Sequence, residues 1–347
     1  MPRVWDVPVH DSTRVRDARV AAEQAAALVG LDGKRTAAAA LVATELATNL
    51  LKHARGGQLL VDLVPPPAGR GGVVVQIAAV DHGPGMADVP AAFGDGFSTT
   101  GSLGAGLGTC RRVSDGFDLH SVPGRGTVAL ARLGAAARTG PDDPAPARAG
   151  GVNIPLARAE YSGDAWTWVR AGDLLTLMLA DGLGHGPEAA RASTAAVDEL
   201  HRSAHLPPAE ILHRLDAALR GTRGAAVAVA QLDARSERLR FAGIGNVGAR
   251  LREGDSWRHL LSRPGIVGVH RPTRLPETVA PWAADRLLVL HSDGLPSRWV
   301  PPADPRFATA DPAVTAAVTV RDTSSSARPV RDDTAVAVLS PTPPDRP

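Results

Sequence analysis

Three polar residues, Glu45, Asn49 and His53, recur at i+4 intervals on an alanine-rich stretch, so they lie within about 80° of one another on a helix. Leu41, Leu46 and Leu50 flank them. The residues therefore form either a solvated face or the wall of a cleft, with Glu45 and Asn49 the two best placed to line it. A second set begins at Asp81, a carboxylate at the end of the apolar run Val73–Val80, followed by Gly83 and Gly85. Gly101, Gly104, Gly106 and Gly108 then make a loop that runs into a helix near Leu107. Unpaired N–H groups and the helix dipole favour phosphate at such a place, although an ordinary surface loop has the same composition. A third set is acidic: Asp164, Asp181, Asp293 and the pair Asp332-Asp333 each sit at or near the edge of an apolar segment. One aspartate at a strand end is a common turn residue, but four suggest a carboxylate cluster. No histidine or cysteine set has ligand spacing, so the chemistry points to oxygen-bound Mg²⁺ or Mn²⁺ rather than zinc.

The elements that must position these residues can be read from periodicity and punctuation. In the first half the pattern predicts a strand over residues 4–9, a helix capped by Ser12 or Thr13, and a helix over 34–55 that stops at Gly56-Gly57. Strands follow over 58–64 and 72–80, then the glycine loop, a helix through Arg111 and Val113, and strands near 117–121 and 127–132. Residues 134–150 are rich in Ala, Pro, Gly and Asp and read as a linker. The second half is strand-rich, with helices expected over 187–203 and 208–219 and strands over 225–232 and 239–251. The boundaries adopted are a first domain over 1–133, a linker over 134–151, a second domain over 152–340 and a disordered tail over 341–347.

Composition narrows the chemistry further. A chain of 347 residues can hold two independent cores, and a net charge of +2 with interspersed signs gives no argument for nucleic acid. The only lysines, Lys34 and Lys52, lie outside any Walker-type loop or kinase-type strand motif, so phosphate handling here does without a phosphate-binding lysine. The single Cys110 is expected to be a small buried hydrophobe. With no signal peptide and no bilayer-length apolar run, the expectation is a soluble cytoplasmic protein with no membrane partner.

The ordered boxes ELATNLLKHA, DHGPG, TTGSLGAGLG and GRGT resemble the GHKL ATPase fold shared by histidine kinases, gyrase-type ATPases and anti-sigma-factor serine kinases. The glycine loop and the following CRRVSDGFDLHSVPGRGT look most like the stressosome switch kinase, a serine/threonine kinase of that fold. The resemblance implies that Glu45 is a general base, that Asn49 helps hold Mg²⁺, and that Asp81 accepts from the adenine amino group of ATP with support from Thr127. It also implies that Gly83 and Gly85 admit base and sugar, and that the segment containing Thr100, Gly104, Gly106, Leu107 and Gly108 is a lid over the phosphates. His53 is expected to be structural, packed beneath that lid.

The second half, with GDAW, ADGLGHG, RGAAVAVAQLD, LRFAGIGNV, GIVG, SDGL and a terminal DD in order, resembles the SpoIIE group of PPM-family metal-dependent serine/threonine phosphatases. By resemblance, Asp164, Asp181, Asp293 and Asp332, with the Gly182 carbonyl, would bind two Mg²⁺ or Mn²⁺ ions that activate water and clamp the phosphoryl oxygens. The group usually has one residue between the paired aspartates and a threonine, whereas Thr334 follows Asp333 directly, which leaves Asp332 and Asp333 both open as the ligand. His185 is expected to support the metal loop, and Arg191 and Arg223 to be solvated surface charges.

These resemblances together imply a two-domain α/β chain, a GHKL α/β sandwich followed by a PPM α-β-β-α sandwich. They imply a bifunctional regulator of bacterial partner switching that phosphorylates and dephosphorylates STAS-domain proteins of a stressosome or sigma-factor pathway. The implied partners are those STAS-domain proteins, a sigma factor or a downstream phosphatase, and a second copy in a homodimer. Two alternatives stand beside this reading: a phosphatase governed by a non-catalytic ATP-sensing domain, and an anti-sigma binding module fused to a phosphatase.

Overall fold

A computed structural model of the chain describes residues 3–67, 72–93, 106–135, 146–156, 159–324 and 332–343. Thr100 and Gly104 of the expected lid lie outside these residues.

The first half folds as β1 (Trp5–Val9), α1 (Ser12–Leu28), α2 (Gly33–Ala54), β2 (Gly57–Val64), β3 (Val74–Val80), α3 (Gly106–Val113), β4 (Gly116–Val122) and β5 (Gly126–Leu133). The strands make one antiparallel sheet in the order β1-β2-β3-β5-β4. The cap of α1 is Asp11 rather than Ser12 or Thr13. Its carboxylate accepts from the Thr13 and Arg14 N–H groups, and a charged acceptor serves the helix dipole better than a hydroxyl. Helix α2 starts the same way from Asp32 and stops where Arg55 takes the left-handed conformation before Gly56. Ala39, Ala43, Leu46, Ala47 and Leu50 form its buried face, small residues that bring the helix close to the sheet.

The second half contains β6 (Ala147–Ile154), β7 (Asp164–Ala171), β8 (Leu174–Gly182), α4 (Pro187–Ser203), α5 (Pro208–Ala218), β9 (Ala225–Asp233) and β10 (Arg238–Ile244). It continues with β11 (Gly248–Glu253), β12 (Ser256–Leu260), β13 (Thr278–Pro281), β14 (Leu287–His291), α6 (Pro312–Thr323) and β15 (Thr334–Pro341). Two five-stranded sheets, β13-β10-β9-β8-β7 and β12-β11-β14-β15-β6, face each other across a core that includes Trp168, Leu177, Phe241, Leu251 and Leu290. Helices α4 and α5 cover the first sheet, and α6 covers the second.

Two expectations change. Strand β6 begins at Ala147 and pairs with β15 along its whole length, so residues 147–151 belong to the second sheet pair rather than to a linker. The stretch 239–251 is not one strand. It breaks at Gly245, whose φ of +97° suits only glycine, and the chain crosses there from one sheet to the other.

The two halves share a core. Leu60, Ala78, Val80, Val128 and Leu130, on the sheet face opposite α2, pack with Val152, Val314, Ala317 and Val336 of the second half. Buried polar groups stitch the seam. Gln76 Nε2 donates to the Gly151 carbonyl (2.9 Å), Gln76 Oε1 accepts from Arg132 Nε (3.0 Å), and the Arg132 guanidinium binds both Asp311 oxygens (2.5 and 2.8 Å). Bidentate pairing of this kind compensates the burial of both charges.

Candidate functional sites

A cavity of about 810 Å³ opens between α2, the residues after β3 and the start of α3, and Glu45, Asn49, Asp81, Gly85, Gly106, Leu107 and Thr127 all line it. Asp81 is buried at one end. Its Oδ1 accepts from the Gly83 N–H (2.7 Å) and the Thr127 N–H (3.1 Å), so the carboxylate is fixed by the backbone on both sides. Burial raises its pKa, partly offset by those two N–H groups and by the positive charge of Arg321. Thr127 Oγ1 lies 2.9 Å from Ser121 Oγ, which accepts from the Met86 N–H, so β4, β5 and the loop after β3 meet beside Asp81.

Glu45 and Asn49 stand toward the other end, against the beginning of α3. A Cβ placed on Gly106 would lie 2.9 Å from Glu45 Oε2 and 3.7 Å from Asn49 Nδ2, so glycine at this position leaves room for both side chains. Gly108 is buried within the same short helix. Gly83 packs against Ala54 at the end of α2. His53 lines the cavity but is exposed rather than packed beneath other residues. Cys110 is fully buried, and burial, then the nearby Glu45 charge, pushes its thiol up to about 12, which leaves it an inert apolar group.

The second set of residues converges at one end of the two sheets. Asp164 at the start of β7 pairs directly with Asp181 near the end of β8. Asp164 is 1% exposed, and its Oδ2 has no hydrogen-bond partner among the described residues. Burial, followed by the Asp181 charge, raises its pKa well above the usual carboxylate range. Burial and the charges of Asp293, Asp332 and Asp333 push Asp181 up to about 7. Asp293 is raised by burial and by Asp332. Each carboxylate is therefore penalised by its neighbours, a repulsion that a bound cation would relieve. Among the described residues no three of these groups already close around a single point. Gly182, at the end of β8, is held by donation of its N–H to the Gly163 carbonyl (3.1 Å).

Asp332 and Asp333 part company. Both oxygens of Asp333 are committed to backbone N–H groups, Oδ1 to Leu156 (2.7 Å) and Oδ2 to Gly163 (2.9 Å), whereas Asp332 is exposed and its Oδ1 accepts from the Asp333 N–H (2.8 Å). Sequence reasoning missed Asn246, which donates from Nδ2 to Asp293 Oδ2 (2.6 Å). The sheet-to-sheet crossing at Gly245 brings it there, and the adjoining GIGN glycines were the signal for that corner. His185 is exposed, and Arg191 is exposed and pairs with Glu188. Arg223 is also exposed, with its guanidinium over Gly184 beside the Asp181 loop.

The family model described as histidine kinase-like ATPase domain matches residues 9–132, and that described as Stage II sporulation protein E (SpoIIE) matches residues 171–341. The chain is a fusion of these two domains. The serine/threonine-protein kinase RsbT of Bacillus subtilis (strain 168) is 45% identical to this chain over 84 residues. That match covers 24% of this chain and 61% of RsbT, so the chain spans about three fifths of the length of this curated relative. A structure solved in work on the bacterial stressosome, as a modular system adapted to control secondary messenger signaling, is 28% identical with a TM-score of 0.50. It covers 56% of this chain and 98% of its own. RsbX solved in complex with magnesium is 19% identical with a TM-score of 0.49, covering 58% of this chain and 98% of its own. The fold is that of a two-domain α/β protein, an ATPase domain with its helices on one face of a sheet and a SpoIIE-type domain built on two facing sheets. Among the described residues no helix is long and apolar enough to cross a membrane.

Proposed function

We propose that this chain sets the phosphorylation level of STAS-domain regulatory proteins in a stressosome or sigma-factor pathway, with the ATPase domain phosphorylating Ser or Thr and the SpoIIE-type domain removing the phosphate. One observation carries the kinase half: a single cavity holds Asp81 at one end and Glu45 with Asn49 toward the other. A nucleotide whose adenine amino group donates to Asp81 would extend its phosphates toward Asn49, which suits an oxygen-ligated Mg²⁺. Glu45 would take the proton from the attacking hydroxyl. Thr127, Gly83 and Gly85 would frame the base, and Gly106, Leu107 and Gly108, with Thr100 and Gly104, would enclose the phosphates.

In the SpoIIE-type domain Asp164, Asp181, Asp293 and Asp332, with the Gly182 carbonyl, would hold two divalent cations. The all-oxygen donor set, the partnerless Asp164 Oδ2 and the mutual repulsion of the carboxylates fit Mg²⁺ or Mn²⁺. Such ions would supply Lewis acidity toward the phosphoryl oxygens and lower the pKa of water. Asn246 orients Asp293, and Asp333 braces the backbone at Leu156 and Gly163.

The test is the intact mass of a STAS-domain protein incubated with Mg-ATP and the Asp293→Ala chain, with an Asn49→Ala, Asp293→Ala double variant as control. A phosphate-mass increase with the single variant alone, reversed by wild-type chain and Mn²⁺, is the expected result. The contact of His82, just after β3, with the Arg321 and Ser324 carbonyls at the end of α6 supports a second reading, in which the ATPase domain senses ATP for the phosphatase without transferring phosphate. That reading predicts ATP binding, no phosphorylated protein, and a phosphatase rate that changes with ATP.

A further inference from the structure

The nucleotide cavity belongs to the ATPase domain, yet its Asp81 end is fastened to a helix of the other domain. Arg321, in the last turn of α6, is 1% exposed. Its Nη1 donates to the Gly126 carbonyl (3.3 Å), and its Nε donates to Asp322 Oδ1 (2.9 Å). The second oxygen of Asp322 lies 3.3 Å from Arg125 Nη2 in the same turn. A third tie comes from His82, next to Asp81. Its Nε2 lies 2.9 Å from the Arg321 carbonyl and 3.1 Å from the Ser324 carbonyl. Both partners only accept, so this nitrogen carries the proton and adds a donor to carbonyls at the end of α6.

The turn held by Arg321 bears directly on Asp81. Gly126 has φ of +93°, and a Cβ there would collide with the Asp81 carbonyl oxygen, so the two backbones are in contact with no space between them. The neighbouring residue closes a reciprocal pair, with the Asp81 N–H donating to the Thr127 carbonyl (2.9 Å) and the Thr127 N–H donating to Asp81 Oδ1 (3.1 Å). Displacing the turn thus displaces the carboxylate. The same helix packs through Val314 and Val318 on Val336 and Val338 of β15, the strand that begins just after Asp332-Asp333.

We infer that Arg321 is a positioning residue of the nucleotide pocket, supplied by the SpoIIE-type domain, and that full nucleotide affinity exists only while α6 is docked against the Gly124–Gly126 turn. This rests on the nucleotide reading proposed above. A buried guanidinium that ties this turn to a helix preorganises Asp81 without touching the ligand, and preorganisation enters affinity directly.

Titration calorimetry of the full chain with MgADP tests the inference, with circular dichroism melting of every variant. Arg321→Met is expected to weaken MgADP roughly tenfold, the scale of one hydrogen bond from a charged donor. Arg321→Lys, which keeps the charge and a donor, is expected to recover most of that loss. Trp168→Phe removes a different tie between the halves, the 3.2 Å bond from its Nε1 to the Pro66 carbonyl, and is expected to leave MgADP affinity within about twofold of wild type. His82→Ala, at an exposed side chain, is expected to weaken MgADP about threefold and serves if Arg321→Met does not fold. Wild-type affinity in both Arg321→Met and His82→Ala overturns the inference, as does an equal loss in Trp168→Phe, which would make the effect one of docking in general. Failure of the wild-type chain to bind MgADP overturns the nucleotide reading and this inference with it.

Discussion

Asp164 and Asp181 are direct cross-strand partners in the antiparallel pair β7–β8, a buried carboxylate set opposite a half-buried one. Like charges in that relationship destabilise a sheet, and burial increases the cost. If the aspartates hold a cation as proposed, the arrangement trades stability for that site, and relief of the repulsion and loss of metal binding should go together. Asp181→Asn is expected to raise the melting temperature of the chelator-treated chain, by about 1–2 °C per kcal/mol relieved, and to abolish the further rise expected of the wild type with Mn²⁺. Thermal melts with EDTA and with Mn²⁺ decide it. A metal-free melting temperature that falls in the variant would show that the pair is not repulsive.

The neighbouring aspartates at the start of β15 should separate cleanly. Asp333 already spends both oxygens on the Leu156 and Gly163 N–H groups, so Asp333→Asn replaces an acceptor by a donor against a buried N–H and should cost about 1–3 kcal/mol of stability. Asp332→Asn should leave the fold intact and remove Mn²⁺-dependent hydrolysis of p-nitrophenyl phosphate. Urea unfolding and a hydrolysis assay on both variants check the assignment. A folded Asp332→Asn chain with full activity would move the ligand role to Asp333.

Asp62 offers a pH test away from either site. It lies on the face of β2 turned toward the second domain, and burial pushes its pKa up to about 7, with only the Leu63 N–H opposing the shift. The folded chain therefore holds this proton over a range in which the unfolded chain has lost it. Stability contributed at Asp62 falls as pH rises from the unfolded value near 4 to about 7, in total by on the order of 4 kcal/mol. Asp62→Asn is expected to stabilise the chain at pH 8 and to have little effect at pH 4. Equal effects at both values would show that Asp62 ionises normally in the folded state.

Much of both sites was legible because local chemistry announced it. The i+4 spacing of Glu45 and Asn49, the strand-end Asp81 and the glycines around it were each visible in short windows, and the cavity brings them together. The four acidic strand ends were visible in the same way. Hidden features depended on contacts between distant residues. Gln76, Arg132, Asp311 and Arg321 are ordinary polar residues in their local windows, and only the docking of one sheet face on α6 makes them a buried seam. Residues 147–151 carry the small, proline-flanked composition of a linker, yet tight packing requires it. Gly150 and Gly151 abut Ala313 and Trp166, where larger residues would not fit. In 239–251 apolar residues recur on both sides of Gly245 as they would along one strand, and the corner is signalled only by Gly243, Gly245 and Asn246 between them.

A substitution at Gly106 would test nucleotide binding apart from phosphate transfer. An added Cβ there would crowd Glu45 Oε2 at 2.9 Å but only touch Asn49 at ordinary contact distance. The carboxylate is the movable end of a long side chain, so the expected response to Gly106→Ala is a turned Glu45 with the rest of the pocket unchanged. If Glu45 takes the proton of the attacking hydroxyl, phosphotransfer by Gly106→Ala should fall by roughly 10²-fold, the lower end of what a general base contributes, while MgADP affinity stays near wild type. Single-turnover phosphotransfer measured beside calorimetric MgADP binding provides the check. Parallel loss of both would mean that Gly106 serves the phosphates themselves, and retention of both would remove Glu45 from the chemistry.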